Sequence, residues 1–348
     1  MSTSRRWCMK VVSGAYGALI ALLMVSCGVG GAEPNPALLR YEGDGGVVYL
    51  FPTIHSLPDD AASEIDGASD LLPQYVTEAI SESDKVLTET DPLEALYAEE
   101  QEELDQLAFA SDDEQRKSLF EYAREAWDDD EYSRLEALFE EFYDSPLVET
   151  QFERAKLEQL RPHAFFFDIA TITGVLAVEN DLSIDAGVTR VAHEESVDQV
   201  GLGDALLIRR LADEAPQLVY LDSLKEVALE EPTMEEIIDD QKESITRYFQ
   251  TWKTGELPVV TAQEEGNDTD SASDEDVYEL SISTVETLQQ EERAEVWIST
   301  ILDALEGDDV EQVFVAVGTN HLAEVQDDIE IEHIRSRLAA EFGEERVD

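Results

Sequence analysis

The sequence predicts an α/β fold in which N- and C-terminal βα units form one mixed or parallel sheet, with a largely helical acidic insertion between them. Three observations predict it. Short apolar, β-prone runs stand near both ends, at residues 47–51 and 312–317. Segments with apolar residues at helical spacing flank these runs. The middle of the chain carries its apolar residues at intervals of three and four among runs of Asp and Glu, the pattern of amphipathic helices with solvated acidic faces.

From the N-terminus, Arg5, Arg6 and Lys10 precede an apolar run at 15–25, and Met24-Val-Ser-Cys27 resembles a lipobox. Residues 1–27 therefore read as a signal peptide of an exported lipoprotein, with Cys27 as the acylated residue. Ser4-Arg-Arg-Trp-Cys-Met-Lys10 also resembles a twin-arginine signal, which implies export of a folded chain. The apolar run is roughly half of the ~20 residues a membrane-spanning helix needs. Residues 28–37, with Gly, Pro and Asn, read as a tether, and 38–348 as a single domain.

Within that domain, the Asp44-Gly-Gly46 turn leads into the strand at 47–51. Tyr75, Val76, Ala79 and Ile80 predict a helix over 74–83, followed by a second strand at 86–90. The helical insertion is expected at about 92–180, where Leu119, Tyr122, Ala123, Leu135, Leu138, Phe139 and Phe142 show helical spacing. Phe165, Phe166 and Phe167 read as core of its last helix, with His163 at that helix's start. Strands are expected again at 217–221 and 312–317. Between them an acidic stretch at about 261–277 lacks apolar anchors and reads as a disordered loop. A helix bearing Val296, Trp297, Ile301 and Leu305 precedes the last strand, and a helix at 331–342 follows it.

The formal charge is −58, from 81 acidic and 23 basic residues. Such a carboxylate field repels itself in dilute salt and is tolerated where the Debye length falls to about 3 Å, near 1 M salt, so it reads as halophilic. The absence of a basic stripe argues against nucleic acid as a partner. The two cysteines are Cys8 and Cys27, which leaves no thiol beyond the leader for a disulfide or a thiolate nucleophile.

The polar residues that could do chemistry collect at the carboxyl ends of the expected strands. His55 follows 47–51, Glu89 and Asp91 close 86–90, Asp222 follows 217–221, and Gly318 and His321 follow 312–317. In a sheet with parallel strands these ends share one edge, where ligand sites gather. Two histidines with carboxylates are the donor set of an oxygen- and nitrogen-liganded divalent cation, with Zn²⁺, Mn²⁺, Co²⁺ and Fe²⁺ all open. A cation so held lowers the pKa of bound water from 15.7 to about 7, which supports hydrolysis. His193 and His333 read as exposed residues.

The stretches "LLRYEGDGGVVYLFPTIHSLPDD", "DKVLTETDP" and "VFVAVGTNHLAE" resemble the TraB/GumN family, itself similar to the Tiki metalloproteases and more distantly to the erythromycin-esterase-like fold. The resemblance implies two Gly-x-x-His motifs and a strand-end glutamate. His55, Glu89 and His321 match the two histidines and the glutamate, and Gly318 opens the second motif. It further implies that Asp222 stands at a position usually held by glutamate, and that Arg293 with Trp297 matches a helix motif. On this basis the chain is expected to be an exported, lipid-anchored, metal-dependent hydrolase using Mn, Co or Zn on a peptide or protein. The alternatives are a non-catalytic binding lipoprotein and an esterase-like hydrolase of small molecules. Pro52 replaces the glycine of the first motif, removing an N–H and fixing φ near −65°.

Overall fold

The computed structural model describes residues 34–43, 45–65, 67–89, 98–110, 116–148, 153–180, 182–203, 206–230, 232–257, 259–261, 279–281, 284–307, 310–322, 324–325 and 334–347. The expected leader with Cys27, Asp91, His333 and nearly all of the expected acidic loop lie outside these residues.

The first elements of the described residues form a hairpin, β1 (Leu38–Gly43) and β2 (Gly46–Thr53), turned by Gly46 at φ 129°. A Cβ there would also lie 2.7 Å from the Glu311 carbonyl, so the turn needs glycine twice over. The short α1 (Asp59–Ala62), then α2 (Gln74–Glu82), lead to β3 (Lys85–Thr88). A helical stretch follows: α3 (Ala98–Ala108), α4 (Leu119–Ala126), α5 (Asp129–Tyr143), α6 (Arg154–Leu157) and α7 (Pro162–Leu176). Next come α8 (Ile184–Glu195) and β4 (Asp198–Gly201), and then α9 (Leu207–Glu214), α10 (Gln217–Glu230) and α11 (Met234–Thr254). The last part holds β5 (Val259–Thr261), β6 (Glu279–Ser281), α12 (Thr284–Leu305), β7 (Gln312–Gly318), β8 (Glu324–Val325), α13 (Ile334–Phe342) and β9 (Glu344–Val347).

The main sheet is mixed, in the order β4-β3-β7-β2-β1-β9. β4, β3, β7 and β2 run parallel, while β1 is antiparallel to β2 and β9. β7, from the C-terminal part of the chain, lies between the two N-terminal strands β3 and β2. Its register pairs Gly318 with Thr53 and Ala316 with Thr88, so the carboxyl ends of all three meet at one edge.

Alternation along β2 sorts its residues between two apolar layers. Tyr49 and Phe51 pack with Phe314, with Val76 and Ile80 of α2, and with Ile184 and Val188 of α8. Val48 and Leu50 pack with Val313, Val315 and Val317, under Trp297 and Ile301 of α12 and Leu338 of α13. Both faces of the parallel strands are therefore covered, which is why they read as near-continuous apolar runs.

A third apolar cluster joins α4, α5, α7, α10 and part of α11. Phe165 packs 5.1 Å from Phe139 and 5.8 Å from Phe142, ring centre to ring centre. Capping boxes start three of these helices: Ser118 with Glu121, Asp128 with Glu131, and Thr233 with Glu236. His163 does lie at the start of α7, behind Pro162, and is fully buried. Gln217 donates from its amide nitrogen to the Ala212 and Ala215 carbonyls, so its Oε1 must accept from His163 Nδ1, 2.8 Å away. Burial pushes the His163 ring down to about 3.

Three expectations are corrected. Residues 217–221 are the opening of α10 and not a strand: Gln217, Tyr220, Leu221, Leu224, Val227 and Ala228 form one buried helical face, a period that five residues are too few to reveal. The helical cluster is not confined to 92–180: α3–α7 end at 176 and α8 and β4 return to the sheet, but α9–α11 then rejoin the cluster. Residues 34–37 are not free tether: Asn35 N–H donates to the Lys253 carbonyl, Tyr75 Oη donates to that of Pro36, and Ala37 is buried.

Candidate functional site

Strand ends place the site. Glu89 follows β3, His55 lies two residues beyond β2, and His321 sits in the 3-10 turn Thr319–Leu322 that leaves β7. Because β7 is central, Gly318 stands between the other two. Its N–H donates to Glu89 Oε1 at 2.5 Å. A Cβ at this position would lie 3.0 Å from Glu89 Oε1, 3.2 Å from His55 Nε2 and 3.7 Å from His321 Cδ2. Three side chains from three strands thus converge over the one residue that has none. Thr319 Oγ1 ties the turn to the Thr53 carbonyl at 2.9 Å.

His55 is held from behind. Its Nδ1 lies 3.0 Å from Asp185 Oδ2, and Thr53 Oγ1 donates to Asp185 Oδ1 at 2.6 Å. Asp185 occupies the first turn of α8, which Ser183 caps through the Ala186 N–H, a place where the helix dipole favours a carboxylate. Burial raises the Asp185 pKa, but His55 and the Thr53 hydroxyl outweigh it and hold the carboxyl below its usual range. An ionised carboxylate only accepts, so His55 donates from Nδ1, and in its neutral form Nε2 is the lone pair.

His321 is held differently. Arg293, in α12, places Nη1 2.8 Å from His321 Nε2. A guanidinium only donates, so Nε2 accepts and the ring is neutral. Burial pushes the His321 ring down to about 3; Glu89 opposes this, while Arg293 and His55 add to it. One turn along α12, Trp297 packs edge-on to His321 at 4.9 Å and lies 5.5 Å beneath the Arg293 guanidinium. Glu89 is pushed up by burial and drawn down more strongly by His321, His55, Arg293 and the Gly318 N–H, ending below the usual carboxylate range.

The structure therefore brings His55, Glu89, Gly318, Arg293 and His321 together. Asp222 is not among them: it is exposed on α10, because the strand that would have delivered it to the edge is a helix. His193 is exposed on α8, as expected. Asp185 and Thr53 were not anticipated. The sequence signal for Asp185 is Ser183 followed by the apolar spacing of Ile184, Val188 and Val191, which marks a carboxylate in a helix's first turn but not which strand end that turn faces.

Pro52 is accommodated. It pairs with Val317 on one side, and its carbonyl accepts from Trp252 Nε1 at 2.9 Å. In an extended strand the nitrogen and carbonyl of one residue point to the same side. The missing N–H therefore falls beside Trp252, beyond the end of the β1 ladder at Leu50, and on the side of β2 opposite Gly318.

The donor set suits a divalent cation by type. Glu89 Oε1 is 3.9 Å from His55 Nε2 and 3.6 Å from His321 Nε2. Ligands on a tetrahedral ion at about 2.0–2.2 Å stand roughly 3.3–3.6 Å apart, so the spans are at or slightly beyond that separation. Among the described residues no group of three His, Cys, Asp or Glu side chains is already drawn in around one point. The His55–Asp185 contact is the carboxylate–histidine pairing that orients metal-binding imidazoles. No helix among the described residues is long and apolar enough to cross a membrane.

The family model described as the TraB/PrgY/gumN family matches residues 37–331. Searches of the curated proteins and of the solved structures found no match.

Proposed function

Because the chain belongs to the TraB/PrgY/gumN family, we propose that it is a metal-dependent hydrolase, with peptides or proteins as its substrate class. The observation that carries this reading is the convergence of His55 Nε2, Glu89 and His321 over Gly318. His55, Glu89 and His321 would hold the cation, and Asp185 fixes the tautomer His55 needs. A bound Mn²⁺, Co²⁺ or Zn²⁺ supplies a hydroxide nucleophile at neutral pH. Gly318 leaves the space that a water and a substrate carbonyl require, and its N–H holds Glu89 in place. The protein acts outside the cytoplasm, anchored through Cys27 and exported by the twin-arginine route, with a surface suited to concentrated salt.

A second reading is favoured by the Arg293–His321 hydrogen bond. With His321 so engaged, His55 backed by Asp185 is a general base for ester hydrolysis without a metal, and Arg293 is a nearby positive charge for an oxyanion. Metal analysis of the protein purified in concentrated KCl, with peptide and ester substrates assayed with and without added Mn²⁺, Co²⁺ or Zn²⁺, separates the two. Stoichiometric metal lost in H321A and E89A but kept in D222A supports the first reading. Metal-free ester turnover that EDTA leaves intact supports the second. A protein with neither metal nor turnover is the non-catalytic binding lipoprotein.

A further inference from the structure

We infer that Arg293 is a positioning residue that sets the cation affinity of the site, because its guanidinium occupies the His321 lone pair that a divalent cation would have to take. The inference rests on the metal-dependent reading. Arg293 Nη1 lies 2.8 Å from His321 Nε2, and a neutral imidazole has one lone pair to give. Arginine cannot withdraw by losing a proton, as a buried lysine can, because its pKa exceeds 12. It is also fixed in place: the residue is 8% exposed, and the same Trp297 packs against both its guanidinium and the His321 ring.

Arg293 also has a partner to lose. The guanidinium lies close enough to Glu89 to draw that carboxyl downward, so it serves as a cation facing the partly buried carboxylate. A divalent ion bound by Glu89 and His321 takes over both roles, neutralising the carboxylate and filling the Nε2 lone pair. Metal binding and the Arg293–His321 hydrogen bond are thus mutually exclusive at one atom. The protein trades affinity for a site in which the His321 lone pair is satisfied without metal. The expected cost is about ten- to a hundredfold in metal affinity, the range for a hydrogen bond to a charged group.

The test is calorimetric titration of the full chain with MnCl₂ and CoCl₂ alone, comparing wild type, R293M and R293K. R293M keeps the length of the side chain and removes its donors and charge. It should bind at least about tenfold more tightly, with R293K between wild type and R293M because a buried lysine can give up its proton. Equal or weaker binding by R293M overturns the inference, while binding by the wild type leaves the metal-dependent reading standing. Binding by none of the three overturns both. Should R293M not fold, nitrogen-15 spectra of the wild type decide. The Arg293 guanidinium proton signals should be slow to exchange without metal and vanish as Mn²⁺ or Co²⁺ saturates the site; their loss is judged against distant arginines as controls for paramagnetic broadening. Persistence of those signals at saturation with diamagnetic Zn²⁺, with the His321 Nε2 shift unmoved, overturns the inference.

Discussion

Asp185 Oδ2 lies 3.0 Å from His55 Nδ1 across 130 residues of chain. Between the two residues stand α1, α2, β3 and the five helices α3–α7, all of which the chain completes before α8 returns to the sheet. Asp185 accepts from Thr53 as well, so the strand that leads to His55 also anchors the group that orients it. His55 is thereby fixed at both its backbone and its ring.

Removing that orientation should weaken the site without unfolding it. D185L is expected to lose about 10- to 100-fold in metal affinity and turnover, the usual effect of deleting a carboxylate behind a metal-binding histidine. D185N should lose less, because Thr53 can reverse its hydrogen bond and let the amide oxygen face His55. Titration calorimetry and initial rates check both, and equal losses in the two variants would exclude a role through the tautomer.

Filling the space over Gly318 should also be damaging. In G318A the methyl would lie 3.0 Å from Glu89 Oε1 and 3.2 Å from His55 Nε2, so both must shift. The shifts needed are a few tenths of an ångström, and since a misplacement of a full ångström costs about 100-fold in rate, a loss of about tenfold is expected. Thermal denaturation should show the fold retained, while substrate turnover falls.

The proline in the first motif should prove neutral for catalysis. P52G adds an N–H on the Trp252 side of β2, away from Gly318, and frees the backbone of the unfolded chain. We expect a stability loss of about 1 kcal/mol and unchanged kcat/KM. A large gain in activity would instead show that Pro52 had disabled the site.

Acid should destabilise the helical cluster through His163. Its pKa is pushed down to about 3 in the folded chain, below the ordinary value of 6.5. As pH falls below 6.5 the unfolded chain takes up a proton that the folded chain refuses, so stability is lost as pH drops toward 3. The loss is at most about 1.4 kcal/mol per pH unit. H163Q lacks this proton, so the stability difference between wild type and H163Q should shrink progressively from pH 7 to pH 4 in urea titrations.

Much of this site is legible in the chain before it folds. His55, Glu89, Gly318 and His321 announce themselves because each follows a short apolar run, and a buried parallel strand has to be such a run. Arg293 and Trp297 are legible at their four-residue spacing, which puts both on one helix face. Asp222 misled for a related reason: five apolar and aromatic residues suit a strand or a buried helix equally, and only the longer period through Ala228 separates them. β4 escaped notice because an edge strand with Asp198 and Gln199 need not be apolar throughout.

What the sequence by itself determined is the chemistry available: two imidazoles, a buried carboxylate and a guanidinium, delivered by local elements whose periodicity depends only on nearby residues. What only the tertiary structure decided is which groups face one another. Strand order puts β7 between β3 and β2, and so gathers Glu89, Gly318 and His55. The packing of α8 and α12 on opposite faces of that sheet then supplies Asp185 to one histidine and Arg293 to the other. Side-chain pairing across such distances follows from how layers stack, and stacking is a property of the whole apolar surface, not of any window along the chain.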